Sequence, residues 1–236
     1  MIQVRRSKER GHAEHGWLKS FHTFSFADYY DSQFMGFSAL RVINEDFVQP
    51  GQGFATHSHR DMEIITYVVD GLLEHKDSMG NGSIIHPEEI QYMSAGSGVT
   101  HSEFNASNDR LVHLYQIWIR PALTGQPPRY AQLSFPLSDR LNRMHHVVGP
   151  ELEGEKGNAP IQIRQDASIY LGHLEAGRSL ATPSSSSRNG WIQVVKGSLR
   201  LSNHEVFAGD GVFLQGENTS EITSQAGTEF LFFDLP

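Results

Sequence analysis

The chain has 236 residues, a formal net charge of −8 and no cysteine. That length holds one large β domain or two of about a hundred residues, and either buries a substantial core. An acidic balance without a lysine or arginine cluster argues against direct nucleic-acid binding, and the lack of thiols removes disulfides, cysteine–zinc sites and thiol nucleophiles. No apolar run approaches a membrane span, and Met1-Ile2-Gln3-Val4-Arg5-Arg6 lacks the apolar core of a signal peptide, so a soluble cytoplasmic protein with no membrane partner is expected.

Between Gly11 and Phe47 the aromatic side chains Trp17, Phe21, Phe24, Phe26, Tyr29, Tyr30, Phe34 and Phe37 are crowded together, broken by the turn formers Gly16, Asp28, Asp31 and Gly36. So much aromatic area requires burial. Core or an inter-domain seam accounts for most of it, and the wall of an aromatic ligand pocket is the functional alternative. Leu40-Arg41-Val42-Ile43-Asn44 reads as a strand, followed by turn chemistry at Glu45-Asp46 and Pro50-Gly51.

Residues 51–105 carry the chemistry. In an extended strand the side chains alternate faces, so His57 and His59 point the same way, as do His101 and Glu103. Residues two apart lie about 6.6 Å apart along a strand, close enough for both side chains to lean onto one ion. If the two strands are neighbours, three imidazoles and one carboxylate converge from two directions. Among 13 histidines an isolated His-x-His pair is commonly a surface feature or a satisfied core contact. A second alternating pair, with glycines approaching each, favours a shared metal ion.

Glu63 to Val69 is β-branched and aromatic and ends at Asp70-Gly71, a hairpin signal that predicts Leu72 to His75 as the partner strand. Met79-Gly80-Asn81-Gly82 predicts a turn, Ile90 to Met93 a strand, and Leu111 to Ile119 another that Pro121 closes. Short strands at near-regular spacing with glycine turns define a sandwich or barrel. Pro121, Gly125, Pro127, Pro128 and Pro136 mark residues 121–136 as an inter-domain linker. Ser138 to Val147 suits a short helical turn, Gly149 to Pro160 a polar loop, and Ser184 to Ser187 an exposed low-complexity loop.

The second half echoes the first. Trp191 to Leu199 resembles Ile64 to Leu72, and Ala208 to Leu214 occupies the place of Pro87 to Met93, which indicates a duplicated barrel. The copy lacks the ligand pairs; His173 and His204 stand singly, so one metal per chain is expected, in the N-terminal half.

Gly-x5-His-x-His-x3-Glu (Gly51, His57, His59, Glu63) and Gly-x2-His-x3-Asn (Gly98, His101, Asn105) resemble the two cupin motifs. Gly11-His12-Ala13-Glu14-His15-Gly16-Trp17-Leu18, with His22-Thr23-Phe24-Ser25-Phe26 and Met35-Gly36-Phe37, is similar to the pirin family. The resemblance covers nearly the whole chain and is sharpest over residues 11–120. It implies an all-β bicupin of two jelly-roll-type β-barrels in tandem: residues 1–134 forming the metal-binding domain and residues 135–236 a degenerate cupin domain without metal. The pirin ligand pattern maps onto His57, His59, His101 and Glu103. Two departures from the general cupin pattern matter. Seven residues separate Glu63 from Gly71 where six are usual, which turns Glu63 to the other strand face and leaves Glu103 as the carboxylate. Gly96 stands where proline is usual and is expected to loosen that turn.

What the resemblance implies for function is a quercetin 2,3-dioxygenase (flavonol 2,4-dioxygenase), an oxidoreductase cleaving an aromatic small-molecule substrate with O2 and releasing carbon monoxide. A flavonol must lose a hydroxyl proton to bind the metal as an anion, and Glu103, the carboxylate beside the ion, is the nearest base and the expected catalytic residue. Its cofactor would be one divalent transition metal, Fe(II) first, with nickel, manganese, copper, cobalt or zinc compatible with the same ligands. A metal-binding regulatory protein acting through a protein partner is the alternative of a different class, and a metal-dependent isomerase or hydrolase shares the ligands. Phe47, Phe54 and Met62 are the expected pocket-lining residues, on their proximity to the ligand strands.

Overall fold

A computed structural model of the protein describes residues 1–151, 159–183, 186–216 and 220–236. They are almost entirely strand: β1 (Ile2–Arg5), β2 (Gly11–Glu14), β3 (Leu18–His22), β4 (Leu40–Val48), β5 (Gly53–His59), β6 (Glu63–Asp70), β7 (Leu73–Asp77), β8 (Gly82–Ile85), β9 (Glu89–Ser94), β10 (Val99–Asn105), β11 (Val112–Ile119) and β12 (Arg129–Ser134). After one helical turn, α1 (Leu137–Arg140), come β13 (Arg143–Pro150), β14 (Ile161–Ile163), β15 (Ser168–Leu174), β16 (Ser179–Ala181), β17 (Asn189–Lys196), β18 (Ser198–Leu201), β19 (His204–Phe207), β20 (Gly211–Gln215), β21 (Glu221–Ser224) and β22 (Thr228–Leu235).

Two compact units result, Gly11–Phe135 and Met1–Arg10 with Pro136–Pro236. Each is built from a seven-stranded and a four-stranded sheet. In the first the orders are β12-β9-β6-β11-β4-β3-β2 and β5-β10-β7-β8; in the second, β1-β20-β17-β22-β15-β13-β14 and β16-β21-β18-β19. Position for position the orders superimpose: β5 and β10, the histidine strands, correspond to β16 and β21. The duplication read from the sequence is therefore a repeated jelly-roll topology, and the chain is a bicupin. Where the first barrel carries histidines, the second carries Ser179-Leu180-Ala181 and Glu221-Ile222-Thr223-Ser224. There Leu180 packs against a core that includes Ile222, Leu199, Leu201 and Val206.

Several expectations change. The boundary after residue 134 shifts by one, but residues 1–10 leave the N-terminal domain: β1 pairs antiparallel with β20, and Arg6 and the Ser7 amide hold Asp210 at 2.9 and 2.7 Å. Residues 121–136 are not simply a linker, because β12 pairs along its length with β9 as an edge strand of the first unit. Asp70-Gly71 is not a hairpin turn. β6 pairs with β9 and β11, whereas β7 pairs with β8 and β10, so the turn carries the chain from the large sheet to the small one. Gly71 has φ +85, and a Cβ there would meet the Leu111 carbonyl oxygen at 2.6 Å. Gly197 repeats this corner in the second unit, with φ +75 and the Gly227 carbonyl oxygen at 1.9 Å. Glycine supplies both the left-handed backbone and the missing side chain.

Gly96 does not loosen its turn. Its φ is +47, and the absent Cβ makes room for the Gln126 carbonyl, which accepts a 2.7 Å hydrogen bond from the Ser97 amide. The expected helical turn is confined to α1, with strand β13 beginning at Arg143. Most of the polar loop after Gly149 and half of the serine run, residues 152–158 and 184–185, lie outside the described residues, while Ser186 and Ser187 are exposed.

Burial follows each strand's place. β6 lies inside the large sheet and is buried at every position but its last, on both faces, so its sequence is a continuous β-branched and aromatic run. β10 has the small-sheet pattern instead: Val99, His101, Glu103 and Asn105 are buried and alternate with partly or fully exposed residues.

Candidate metal centre

β10 lies between β5 and β7, with His101 opposite His57 on one side and Asp77 on the other. The β5–β10 register then slips: Glu103 faces Phe54, so two residues of β5, Ala55 and Thr56, stand against one of β10, Ser102. Such a bulge bends the strand and re-aims its side chains. The carbonyl of Ala55, inside the bulge, accepts a 2.8 Å hydrogen bond from His57 Nδ1. That bond fixes the tautomer and leaves Nε2 as the free lone pair.

His57, His59 and His101 each bring a ring nitrogen into one group, mutually within 4.8 Å. His57 Nε2 and His101 Nε2 are 3.0 Å apart. Two imidazole nitrogens about 2.1 Å from one ion, at right angles around it, would lie about 3.0 Å apart, so the spacing fits a shared cation. Burial lowers His101 to about 3, with the charges of His57, His59 and His75 adding to the effect, and lowers His59 to about 4, with His57 adding. Both rings are thereby neutral near pH 7, the form a metal requires. Trp118 braces His59 edge-on, ring centroids 5.0 Å apart.

Glu103 groups instead with His75 and His101 in a second, overlapping set. It is 3% exposed, and Gln116 Nε2 donates to its two oxygens at 3.4 and 3.1 Å. Burial pushes its carboxyl up to about 7, against the hydrogen bonds from Gln116 and Thr66 and with the nearby charge of Asp46. His75 was not singled out in the sequence, where it reads as a residue of a pairing strand. Its Nδ1 lies 3.5 Å from His101 Nδ1, and its Nε2 donates to Asp77 Oδ2 at 3.2 Å, both side chains fully buried. Asp77 is in turn held by the Met79 and Asn81 amides and by Asn81 Nδ2. The available signal was the same alternation as in the other pairs, His75-x-Asp77. Glu63 points elsewhere, as its displaced position predicts: it accepts hydrogen bonds from Tyr92 and, at 2.7 Å, from Ser94.

His57 and His59 open into a cavity of about 570 Å³ lined by Trp17, Phe26, Phe54, Trp118, Gln116 and Glu103, among others. Of the expected lining residues only Phe54 contributes. Phe47 stacks on His113 at 4.2 Å, and Met62 packs beside the apolar cluster of Ile64, Met93, Ala95 and Val99. The aromatic N-terminal stretch divides: Phe24 is core, Tyr30 is 73% exposed, and Trp17 and Phe26 are pocket wall. Trp17 meets Phe54 and Phe26 meets Trp118, both edge-to-face at 5.2 and 5.3 Å. Among the described residues, both groups able to hold a metal lie in the Gly11–Phe135 unit.

Two jelly-roll units with a histidine–carboxylate cluster in the first make this a bicupin with a candidate metal site. The chain belongs to the pirin family. Residues 3–119 match the Pirin family model and residues 153–235 the model described as quercetinase C-terminal cupin domain. It is 45% identical over 236 residues, 100% of this chain and 99% of the relative, to quercetin 2,3-dioxygenase of Escherichia coli strain K12. A pirin-like protein of Caulobacter vibrioides is 36% identical, with 99% of each chain covered. The crystal structure of bacterial pirin YhhW from Escherichia coli in complex with nickel(II) matches with a TM-score of 0.93 and 44% identity, covering 100% of this chain and 99% of that one.

Proposed function

We propose that the chain is a metal-dependent dioxygenase that cleaves flavonols such as quercetin with O2 and releases carbon monoxide, its one divalent metal held by His57, His59, His101 and Glu103. The observation that carries this reading is the convergence of three ring nitrogens at the edge of an aromatic-walled cavity of a size suited to a small organic ligand. Iron(II) is our assignment for the metal. Nickel, present in the crystal structure of the Escherichia coli relative, suits the same imidazole and carboxylate donors. When bound, such an ion supplies Lewis-acid and redox chemistry toward a hydroxylated substrate and dioxygen. The protein's own residues do the rest. Trp17, Phe26, Phe54 and Trp118 exclude water and align a flat ring, and Glu103, which lines the same cavity, takes the proton of the substrate hydroxyl. No helix among the described residues is long and apolar enough to cross a membrane, and we place this activity in the cytoplasm.

Oxygen uptake and carbon monoxide release by the metal-loaded protein on a flavonol panel test the reading; bound metal without turnover of any flavonol would overturn it in favour of a binding module. Metal analysis is expected to find about one ion per chain, lost on His57→Ala. A content near two that persists in this variant would contradict a site confined to the first barrel.

His75 and Asp77 are expected to act on the metal through His101. With Asp77 accepting from His75 Nε2, His75 Nδ1 is left to accept from His101 Nδ1, which turns His101 Nε2 toward the cluster. Loss of such an outer partner typically costs 10–100-fold in metal affinity. His75→Ala should therefore weaken metal retention by about that factor. Competition with a chelator measures it, and parent-like retention would remove His75 from this role.

A further inference from the structure

A second cavity of about 610 Å³ adjoins the first, and Trp17, Phe26, Asn44, Asp46 and Phe54 line both. The inner face of a barrel strand ordinarily carries apolar side chains, yet four neighbouring positions here are polar. Cross-strand register sets Ser20 opposite Asp46 and His22 opposite Asn44, and exposure of the four runs from 1% to 4%. They form one network: Ser20 Oγ donates to Asp46 Oδ1, and His22 Nδ1 lies 2.9 Å from Asn44 Oδ1 and 3.4 Å from Ser20 Oγ. Asp46 Oδ2 takes no hydrogen bond among the described residues, and Asp46 lines both cavities, so this oxygen is open to a ligand. Aromatic rings flank the polar strip, with Phe26 5.4 Å and Tyr29 6.4 Å from the His22 ring.

Rings beside a buried, partly unsatisfied carboxyl are the complement of a phenol: the aromatic face packs on the walls, and the hydroxyl supplies the missing hydrogen bond. We infer that this second cavity is a subsite for a hydroxylated aromatic ring, the part of the flavonol remote from its metal-chelating group, read by Asp46 and Asn44. The inference rests on the flavonol reading above and specifies which members of that class are preferred.

The test uses the metal-loaded full chain and three flavonols that differ only in carrying no, one or two hydroxyls on the pendant ring. Dissociation constants come from quenching of tryptophan fluorescence, and oxygen uptake is followed in parallel. Affinity is expected to rise by about fivefold or more from the unhydroxylated to the dihydroxylated compound, the worth of a typical net hydrogen bond. In Asp46→Asn and in Asn44→Ala that ratio should collapse toward one, with metal content measured alongside. The second variant decides the matter if the first does not fold. Equal affinity for all three compounds in the parent, or an intact ratio in both variants, overturns the subsite. A hydroxyl preference in binding without turnover of any flavonol would uphold the subsite and sink the dioxygenase reading; turnover without preference would do the reverse.

Discussion

Replacing Glu103 with glutamine is expected to lower flavonol turnover by about 10²-fold or more, the usual loss for a positioned acid or base. The substitution is nearly isosteric. An amide at this position still accepts from Gln116, which donates to both carboxylate oxygens in the parent, and from Thr66, so the pocket wall keeps its shape. What disappears is the ability to take a proton and to carry negative charge. Burial holds the carboxyl at about 7, where proton exchange near neutrality is most efficient, and a cation at the histidines would pull it lower by favouring the charged form. Glu103 therefore acts as base most effectively when it stands back from the ion. Its place in a group with His75 and His101 is compatible with that. Metal binding should weaken in the variant but persist, because His57, His59 and His101 remain. Metal analysis and steady-state kinetics on the same preparation separate the effects. A variant that keeps its metal and oxidises flavonols at the parent rate would show Glu103 to be neither the base nor a needed anionic ligand.

The second large effect concerns stability and pH. Asp46 is buried, and burial raises its carboxyl from 3.8 to about 7, with the charge of Glu45 adding and the hydrogen bond from Ser20 opposing. Between about pH 4 and pH 7 the unfolded chain releases this proton while the folded chain keeps it, so the folded state binds more protons and loses stability as pH rises. Below about 4 and above about 7 the contribution is flat. The displacement corresponds to about 4 kcal/mol at most, at about 1.4 kcal/mol for each pH unit. Asp46→Asn has no such proton. Its stability relative to the parent should climb by up to about 4 kcal/mol between pH 4 and pH 8, and because Asp46 also raises Glu103, its removal reinforces the trend. His59 and His101, neutral when folded and protonated when unfolded, move the opposite way with pH, but they titrate in both proteins and leave the difference. Urea unfolding of chelator-stripped protein across this range measures it. Parallel stability curves for parent and variant would mean that Asp46 titrates normally in the folded state.

Much of the site was legible from period-two alternation, because that property belongs to a single strand. It groups His57 with His59 and His101 with Glu103, and the extra residue between Glu63 and Gly71 turns Glu63 aside, all without knowledge of which strands meet. The repeated Trp191–Leu199 and Ala208–Leu214 stretches likewise reported a second barrel, since each copy must satisfy the same local pattern of buried positions. Pairing is a different matter. Asp70-Gly71 reads locally as a hairpin, yet β6 and β7 enter different sheets, because both hydrogen-bonding edges of β6 are taken by β9 and β11. Likewise β1 joins a strand more than two hundred residues away, and the proline-marked stretch before Pro136 includes an edge strand. His75, Asp77, Asn44 and Asp46 belong to no motif, and it is the cross-strand register that sets Asp77 beside His101 and Ser20 beside Asp46. The sequence by itself determined which side chains share a strand face, and hence the histidine pairs and the tandem barrels. The tertiary structure alone decided which faces meet and how deeply they are buried, and burial is what moves Asp46 and Glu103 to near-neutral pKa values, since only long-range packing removes a carboxyl from water.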